Sequence, residues 1–442
     1  MEMLVDVCAD LPSENALSLH SSGGVSLPAS ATTFIPRFIG LDIHKEYFVA
    51  IGVDASRKVV FGPQTVPNSH LQDWACKFLS PQDHIVLEMT VNSYYFHDIL
   101  LPHVASVTIV HPPHVKLVTQ VAVKTDRKAA QTLAELHAVG LLEGIWVPPV
   151  EVRELRALIA HRQKMIHLST RAKNRLSTAL HRNQLVYPGE HPSHRYHPDA
   201  REWFENLPVS PIEKLSISTQ LDTLEFVRNQ VAKADVLLEQ LAAADPRVPL
   251  LVQLPGCALL TAMSILAAIG DVSRFPNAKK LVGYAGLGTR VHDSGMTRRT
   301  GRITKAGRKD LRYAMVVIAN NAADHHPYWK EEFAKLFPRL GRSKAIVAIA
   351  RRLLVAVWHI LSKQEADRHA VPKDVARSFF NLAYKIGVRN LPDKHSALSY
   401  TRYQLDRLGV GNGIDSHPLG HALPQIAAFQ PYPKAAVEVI SM

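Results

Sequence analysis

Residues 37 to 66, RFIGLDIHKEYFVAIGVDASRKVVFGPQTV, place three short apolar runs one after another, separated by turn formers. They read as three strands, with DASRK as a hairpin turn. The pattern then changes. A helix is predicted across 69 to 79, HIVLEMT is a fourth strand, NSYYFHDILLPHV a helix and SVTIVHP a fifth strand. A further helix begins within VKTDRKAAQTLAEL (123 to 136) and closes the unit near residue 143. Strands that first meander and then alternate with helices define an α/β domain with a mixed sheet. In the last helix Thr125 serves as N-cap, Asp126 sits in the first turn where a negative charge suits the helix dipole, and Leu133, Leu136 and Leu141 mark a buried face.

The chain is long enough, at 442 residues, for two or three domains. Residues 1–36 read as a flexible extension and 37–145 as the α/β domain. The segment WVPPVEVRELRAL marks a boundary, and 150–245 reads as a basic helical arm of two long helices, about 151 to 186 and 210 to 243. These suggest an antiparallel coiled coil without a clean sustained heptad. Residues 246–390 read as a mainly helical domain and 391–442 as a Gly-, Pro- and His-rich tail with little structure. The formal charge of +12 points to a polyanionic partner. Cys8, Cys76 and Cys257 fit no metal spacing and argue for a reducing compartment. No run reaches the roughly 18 apolar residues of a membrane span, and the N-terminus lacks a basic n-region, so a cytoplasmic protein is expected.

Three carboxylates stand out. Asp42 in FIGLDIHK and Glu88 in IVLEMT fall at the apolar ends of strands, and Asp126 starts a later helix. A carboxylate at the end of a buried strand is costly unless paired, hydrogen-bonded or bound to a cation. Oxygen donors of this kind suit Mg²⁺, and metal ions so held support phosphoryl transfer. Singly, each residue reads better as a turn or cap, and only the three together with the strand order bring the metal reading level with it.

The arm carries Arg153, Arg156, Arg162, Lys164, Arg171, Lys173 and Arg175. Further on, LLVQLPGCALLTAMSILAAIGD reads as helix, Pro255-Gly256 turn and helix. This is like a helix-hairpin-helix, with Ala258 where the usual second glycine would fall; an ordinary helical hairpin reads as well. A basic, glycine-rich loop follows, with Arg298, Arg299, Arg302, Lys305, Arg308 and Arg312 opposed by Asp293 and Asp310 alone between 290 and 312. Such a loop running into an apolar helix suits a nucleic-acid backbone, and its glycines would let main chain approach a ligand. Asp293-Ser294-Gly295 within it is, by spacing, only a turn signal.

Taken in order, GLDIHK, VLEMT, KTDR..A..LAEL, the arm VRELRALIAHRQKMIHLSTRAKNRL and GYAGLGTRVHDSG.....GRITKAGRKDLR resemble the DEDD transposases of the insertion-sequence family numbered 110, with its subgroup 1111. These are relatives of the Piv-type DNA invertases. The likeness runs from about residue 37 to 365. It implies an RNase H-like domain close to the Holliday-junction resolvase fold, with Asp42, Glu88 and Asp126 binding Mg²⁺. It implies that Ser294 attacks DNA to form a covalent phosphoserine link. It also implies guidance by a structured (bridge) RNA that pairs with donor and target DNA, and dimers that join into tetramers with a site composed from two subunits.

The sequence departs from that pattern at one place. The family has KTDRxDA, with a second Asp three residues after the first, and here Ala129 takes the fourth carboxylate's position. Positions i and i+3 share a helix face. Two origins are open: a replacement made to silence the chemistry, which the otherwise intact motif set favours, and a natural variant that is inactive or binds metal with fewer groups. Either way, weak metal occupancy and little strand transfer are expected, with nucleic-acid binding kept. Two other functions fit the same residues. One is a structure-selective nuclease that does not need Ser294; the other is a non-catalytic RNA- or DNA-binding relative.

Overall fold

The computed structural model describes residues 36–113, 125–189, 191, 193–294, 297–391, 396–416 and 420–425. The chain divides into two compact units, Met1–Val147 and Pro148–Met442.

In the first unit, strands β1 (Phe38–Ile43), β2 (Tyr47–Val53), β3 (Val59–Pro67), β4 (His84–Glu88) and β5 (Ser106–Val110) form one sheet in the order β3-β2-β1-β4-β5. The first three pair antiparallel, while β4 joins β1 and β5 joins β4 in parallel. The β2–β3 turn is closed by Asp54, whose carboxylate accepts from the Ser56 and Lys58 backbone N–H groups. That local hydrogen bonding is what makes DASRK a turn.

Helices α1 (Leu71–Phe78) and α2 (Ser93–Leu100) cover one face of the sheet, where Ile39, Leu41, Ile85 and Leu87 pack with Trp74 and Phe96. Helix α3 (Asp126–Ala138) covers the other, with Ala130 against Val49 and Ile51, and Leu133 against Val86 and Val110. Burial on both faces explains why β1, β2, β4 and β5 read as nearly continuous apolar runs, whereas the edge strand β3 has no fully buried residue. Thr125 does cap α3, its side chain accepting from the Lys128 N–H at 3.3 Å. The buried face differs from the expected leucine stripe. It is Ala130, Leu133 and Ala134, while Leu141 lies beyond the helix and is 60% exposed.

In the second unit, α4 (Val150–Arg182) and α6 (Pro211–Ala244) run antiparallel. Leu176 and Leu180 pack with Ile217, Leu221 and Leu224 at one end, and Arg162 pairs with Asp235 further along. The short helix α5 (Arg201–Glu205) adds Phe204 to that core. One large core then gathers α7 (Arg247–Val252), α8 (Leu259–Ile269), α9 (Ala278–Tyr284), α10 (Lys309–His325), α11 (Pro327–Lys363), α12 (Pro372–Ile386) and α13 (Ala397–Arg407).

Three features depart from the sequence reading. The expected basic loop is a two-stranded antiparallel hairpin, β6 (Thr289–Ser294) and β7 (Thr297–Ile303). Helix α13 lies in what read as tail, and Tyr400, Leu405, Ile414 and Leu423 join the core. Helix α11 is long and apolar enough to cross a membrane by length and composition. However, it breaks at Gly341 (φ 71°), and Ile349, Leu353, Leu354 and Val357 of its second half are core residues.

Candidate functional site

The first unit brings carboxylates together by strand parity. Successive side chains of a strand alternate between faces. Leu41 and Leu87 are paired neighbours on the α1/α2 face. The next residue on each strand, Asp42 and Glu88, therefore falls on the α3 face at the same edge of the sheet. Helix α3 reaches that edge because β1 carries Gly40: a Cβ there would stand 2.0 Å from the Ala130 carbonyl oxygen and 2.8 Å from the Ala134 nitrogen. Only glycine lets the helix backbone lie directly on the strand. With Ala130 seated over Gly40, Asp126, one turn earlier, comes over Asp42.

The outcome is a group of donors. Asp42, His44 and Asp126 each offer a ligand atom, all within 4.8 Å of one another, and together they could hold a metal ion. His44 Nε2 lies 3.5 Å from Asp42 Oδ2 and 3.3 Å from Asp126 Oδ2. The side chains are 23%, 35% and 47% exposed for Asp42, His44 and Asp126, so solvent reaches the group. Glu88 shares the face and edge but is outside this tight group. Tyr47, the first residue of β2, donates its hydroxyl to Asp126 Oδ2 at 3.0 Å and stacks on the His44 ring at a centroid distance of 4.7 Å. That hydrogen bond, with some desolvation and the charges of Asp126 and Asp42, holds the Tyr47 phenol above its usual pKa and keeps it a donor. The charge and donor set fit a divalent cation: two carboxylates and a ring nitrogen that is buried yet makes no hydrogen bond among the described residues. Ala129 stands half-buried three residues after Asp126 and adds no donor.

Neither His44 nor Tyr47 figured in the sequence reading. The signal for His44 was present: Asp42-Ile43-His44 continues the alternation of β1, so the first and third share a face. Tyr47 joins only because β2 folds back antiparallel, with His44 N–H donating to the Tyr47 carbonyl at 2.8 Å.

In the second unit Ser294 is the exposed last residue of β6, paired across the hairpin with Thr297. Arg298 and Arg299 lie on β7 opposite Asp293 and His292; their side chains are outside the described residues. Arg302 and Lys305 are exposed. The glycines do something other than expected. Gly286 (φ +66°) and Gly307 (φ +117°) let two main-chain segments meet: a Cβ would stand 2.4 Å from the Ala306 oxygen at the first and 2.2 Å from the Tyr284 oxygen at the second. Bonds from Thr304 N–H to Gly288 O (2.8 Å), Lys305 N–H to Gly286 O (3.1 Å) and Arg308 N–H to Tyr284 O (2.9 Å) clamp the base of the hairpin. Backbone approaches backbone here. Arg312 donates to the Ala285 carbonyl at 2.8 Å, and Arg308 is ion-paired with Asp310.

The basic residues of α4 also divide. Arg156 donates to the Ala267 and Ala268 carbonyls at the end of α8 (2.7 and 3.0 Å), satisfying acceptors a helix end leaves open. Arg162 holds Asp235 at 2.6 Å, Lys173 lies over the Tyr196 ring, and Arg153 is half-buried. Lys164, Arg171 and Arg175 are exposed, and their spacing of seven and four places them along one face.

Comparison with known proteins matches both halves of this arrangement. A DEDD transposase family of the IS110 kind, described as "Transposase", matches residues 39–183, which include Asp42, Glu88 and Asp126. The "Transposase IS116/IS110/IS902 family" matches residues 248–334, which include Ser294. The chain is 23% identical over 348 residues to the transposase for insertion sequence element IS1111A of Coxiella burnetii, covering 75% of this chain and 91% of that protein. It is 22% identical to a probable family 20 transposase of Pseudomonas aeruginosa, over 75% of this chain and 98% of that protein. It is 32% identical over 160 residues to the pilin gene-inverting protein of Moraxella bovis, covering 34% of this chain and 49% of that protein. This chain belongs to the IS110 family of transposases, enzymes that act on DNA.

Proposed function

We propose that this protein carries out RNA-guided DNA strand exchange for an insertion sequence, with a carboxylate site in an RNase H-like first unit and Ser294 as nucleophile. The observation that carries the reading is the parallel register of β1 and β4, which pairs Leu41 with Leu87 so that the next residues, Asp42 and Glu88, fall at one edge of the sheet, while Gly40 admits α3 and its Asp126. The strand order β3-β2-β1-β4-β5, antiparallel then parallel, supports the RNase H-like assignment.

Asp42, Asp126 and Glu88 would hold Mg²⁺, which when bound neutralises charge on phosphate oxygens during displacement. Tyr47 orients Asp126 through its hydrogen bond. Ser294 Oγ attacks a DNA phosphorus, the P–O bond to the departing sugar breaks, and that sugar oxygen gains the proton the serine loses. Attack by the hydroxyl of the exchanged strand then reverses the step and frees the serine, so bond energy is conserved. The exposed Arg302, Lys305, Lys164, Arg171 and Arg175 bind phosphates of the DNA and of a structured guide RNA. The working form is a dimer that joins into a tetramer, in the cytoplasm beside the DNA it acts on.

Ala129 favours a second reading, a chain that binds nucleic acid but exchanges strands poorly, because the fourth oxygen donor is gone. The test is strand exchange on donor and target DNA with the RNA from the flanking element, in Mg²⁺. Ala129→Asp is expected to raise exchange well above the chain as it stands, and Asp42→Asn in that background to abolish it with RNA binding intact. Exchange that survives Asp42→Asn overturns the assignment; binding without exchange in every variant supports the second reading.

A further inference from the structure

We propose that His44 is itself a cation ligand, and that the Asp42–His44–Asp126 site of this chain prefers Mn²⁺ to Mg²⁺. The proposal rests on the reading of Asp42 and Asp126 as a cation site and adds a ligand and a metal preference to it.

His44 Nε2 is buried and has no hydrogen-bond partner among the described residues, although two carboxylate oxygens stand 3.3 and 3.5 Å away. Buried ring nitrogens are normally satisfied, because leaving one unmatched costs about 1–3 kcal/mol. Both separations are longer than the roughly 2.7–2.9 Å of a charge-assisted hydrogen bond. They match the spacing of neighbouring donors around one octahedral ion, about 3.0–3.5 Å for bonds of roughly 2.1–2.5 Å. The ring is held on its other side by stacking on Tyr47, whose hydroxyl also fixes Asp126. Shared support of two donors by one residue is how ligand sets are oriented.

Donor chemistry then sets the metal. Mg²⁺ takes oxygen donors in strict geometry. Imidazole suits Fe, Ni, Cu and Zn, while Mn²⁺ shares the carboxylate and water preference of Mg²⁺; as a first-row transition ion, Mn²⁺ gains more than Mg²⁺ does from one added ring nitrogen. The helix position that would add another oxygen beside Asp126 is Ala129, so nitrogen is one of three donors in the tight group.

The test uses the full chain without nucleic acid. Mn²⁺ binding is followed by loss of the free-ion electron paramagnetic resonance signal, and Mg²⁺ binding by competition. Pulsed resonance on bound Mn²⁺ reads coupling to a directly bonded ¹⁴N. One tight Mn²⁺ is expected, with ¹⁴N coupling. His44→Ala should remove the coupling and weaken Mn²⁺ by at least about tenfold while changing Mg²⁺ little. His44→Asp and Ala129→Asp should each lower the Mn²⁺/Mg²⁺ affinity ratio by supplying oxygen. Mn²⁺ binding that is lost in Asp42→Asn but shows no ¹⁴N coupling overturns the role of His44 and leaves the cation site standing. No Mn²⁺ binding sensitive to Asp42→Asn overturns both. The coupling in the unaltered protein decides the matter even where a variant fails to fold.

Discussion

Gly40→Ala is the smallest change that should take the site apart. The added Cβ would stand 2.0 Å from the Ala130 carbonyl oxygen, 3.0 Å from its carbon and 2.8 Å from the Ala134 nitrogen. Real Cβ atoms keep at least 3.0 Å, so α3 must retreat by about 1 Å where it crosses β1. All three obstructing atoms are backbone, and no rotamer change relieves them. Overpacking costs about 1–3 kcal/mol, and a rigid helix backbone puts this case at the upper end. The retreat carries Asp126 away from Asp42 and His44, and a misplacement of roughly 1 Å is worth about a hundredfold in a preorganised site. Hydrogen exchange should therefore show α3 and β1 amides losing protection, and Mn²⁺ affinity should fall by at least tenfold. Gly283→Ala is the control: within α9, a Cβ there meets nothing within 4 Å, so it should be neutral or stabilising by up to about 1 kcal/mol. Unchanged α3 protection and cation affinity in Gly40→Ala would refute the argument that a glycine seats the helix.

Other perturbations separate structure from binding. Arg156→Ala should cost about 1.5–3 kcal/mol of stability by uncovering the α8 carbonyls, whereas Arg171→Ala should leave the melting temperature alone. Arg171→Ala should instead flatten the salt dependence of nucleic-acid affinity by about 0.7–0.9 per lost phosphate contact; the reverse pattern would refute the division. His137, packed edge-on to Phe38, has its pKa brought down to about 4 by burial and by the nearby His84. The unfolded chain binds that proton below about pH 6.5. Stability is therefore full above that pH and is lost as pH falls toward 4. His137→Phe should flatten the urea midpoint between pH 7 and 4.5, and an undiminished slope would count against it.

What was legible in the sequence was local. The Thr125 cap and the DASRK turn depend on side chains bonding to neighbouring backbone, and the runs of β1, β2, β4 and β5 are apolar because both faces are covered. The strand alternation already set His44 on the face of Asp42, but its meeting with Asp126 was not legible. That meeting depends on the contact of Gly40 with Ala130, ninety residues apart in sequence, made possible by a missing Cβ. Small-residue packing likewise hid the true face of α3, where alanines replace the expected leucines. The β6–β7 hairpin lacks the alternating apolar pattern of a half-buried strand, so arginine and glycine content suggested a loop. The roles of Arg156 and Arg312 were also hidden, since charge alone does not tell a helix-end donor from a phosphate ligand.

The most direct measurement is covalent capture. Ala129→Asp protein is incubated with the element's RNA, donor and target DNA and Mg²⁺, then run on a denaturing gel beside the same protein carrying Ser294→Ala. A protein–DNA band that forms in the first and vanishes in the second is the expected result. A band that persists without Ser294, or recombinant DNA formed with no adduct at all, would contradict the account.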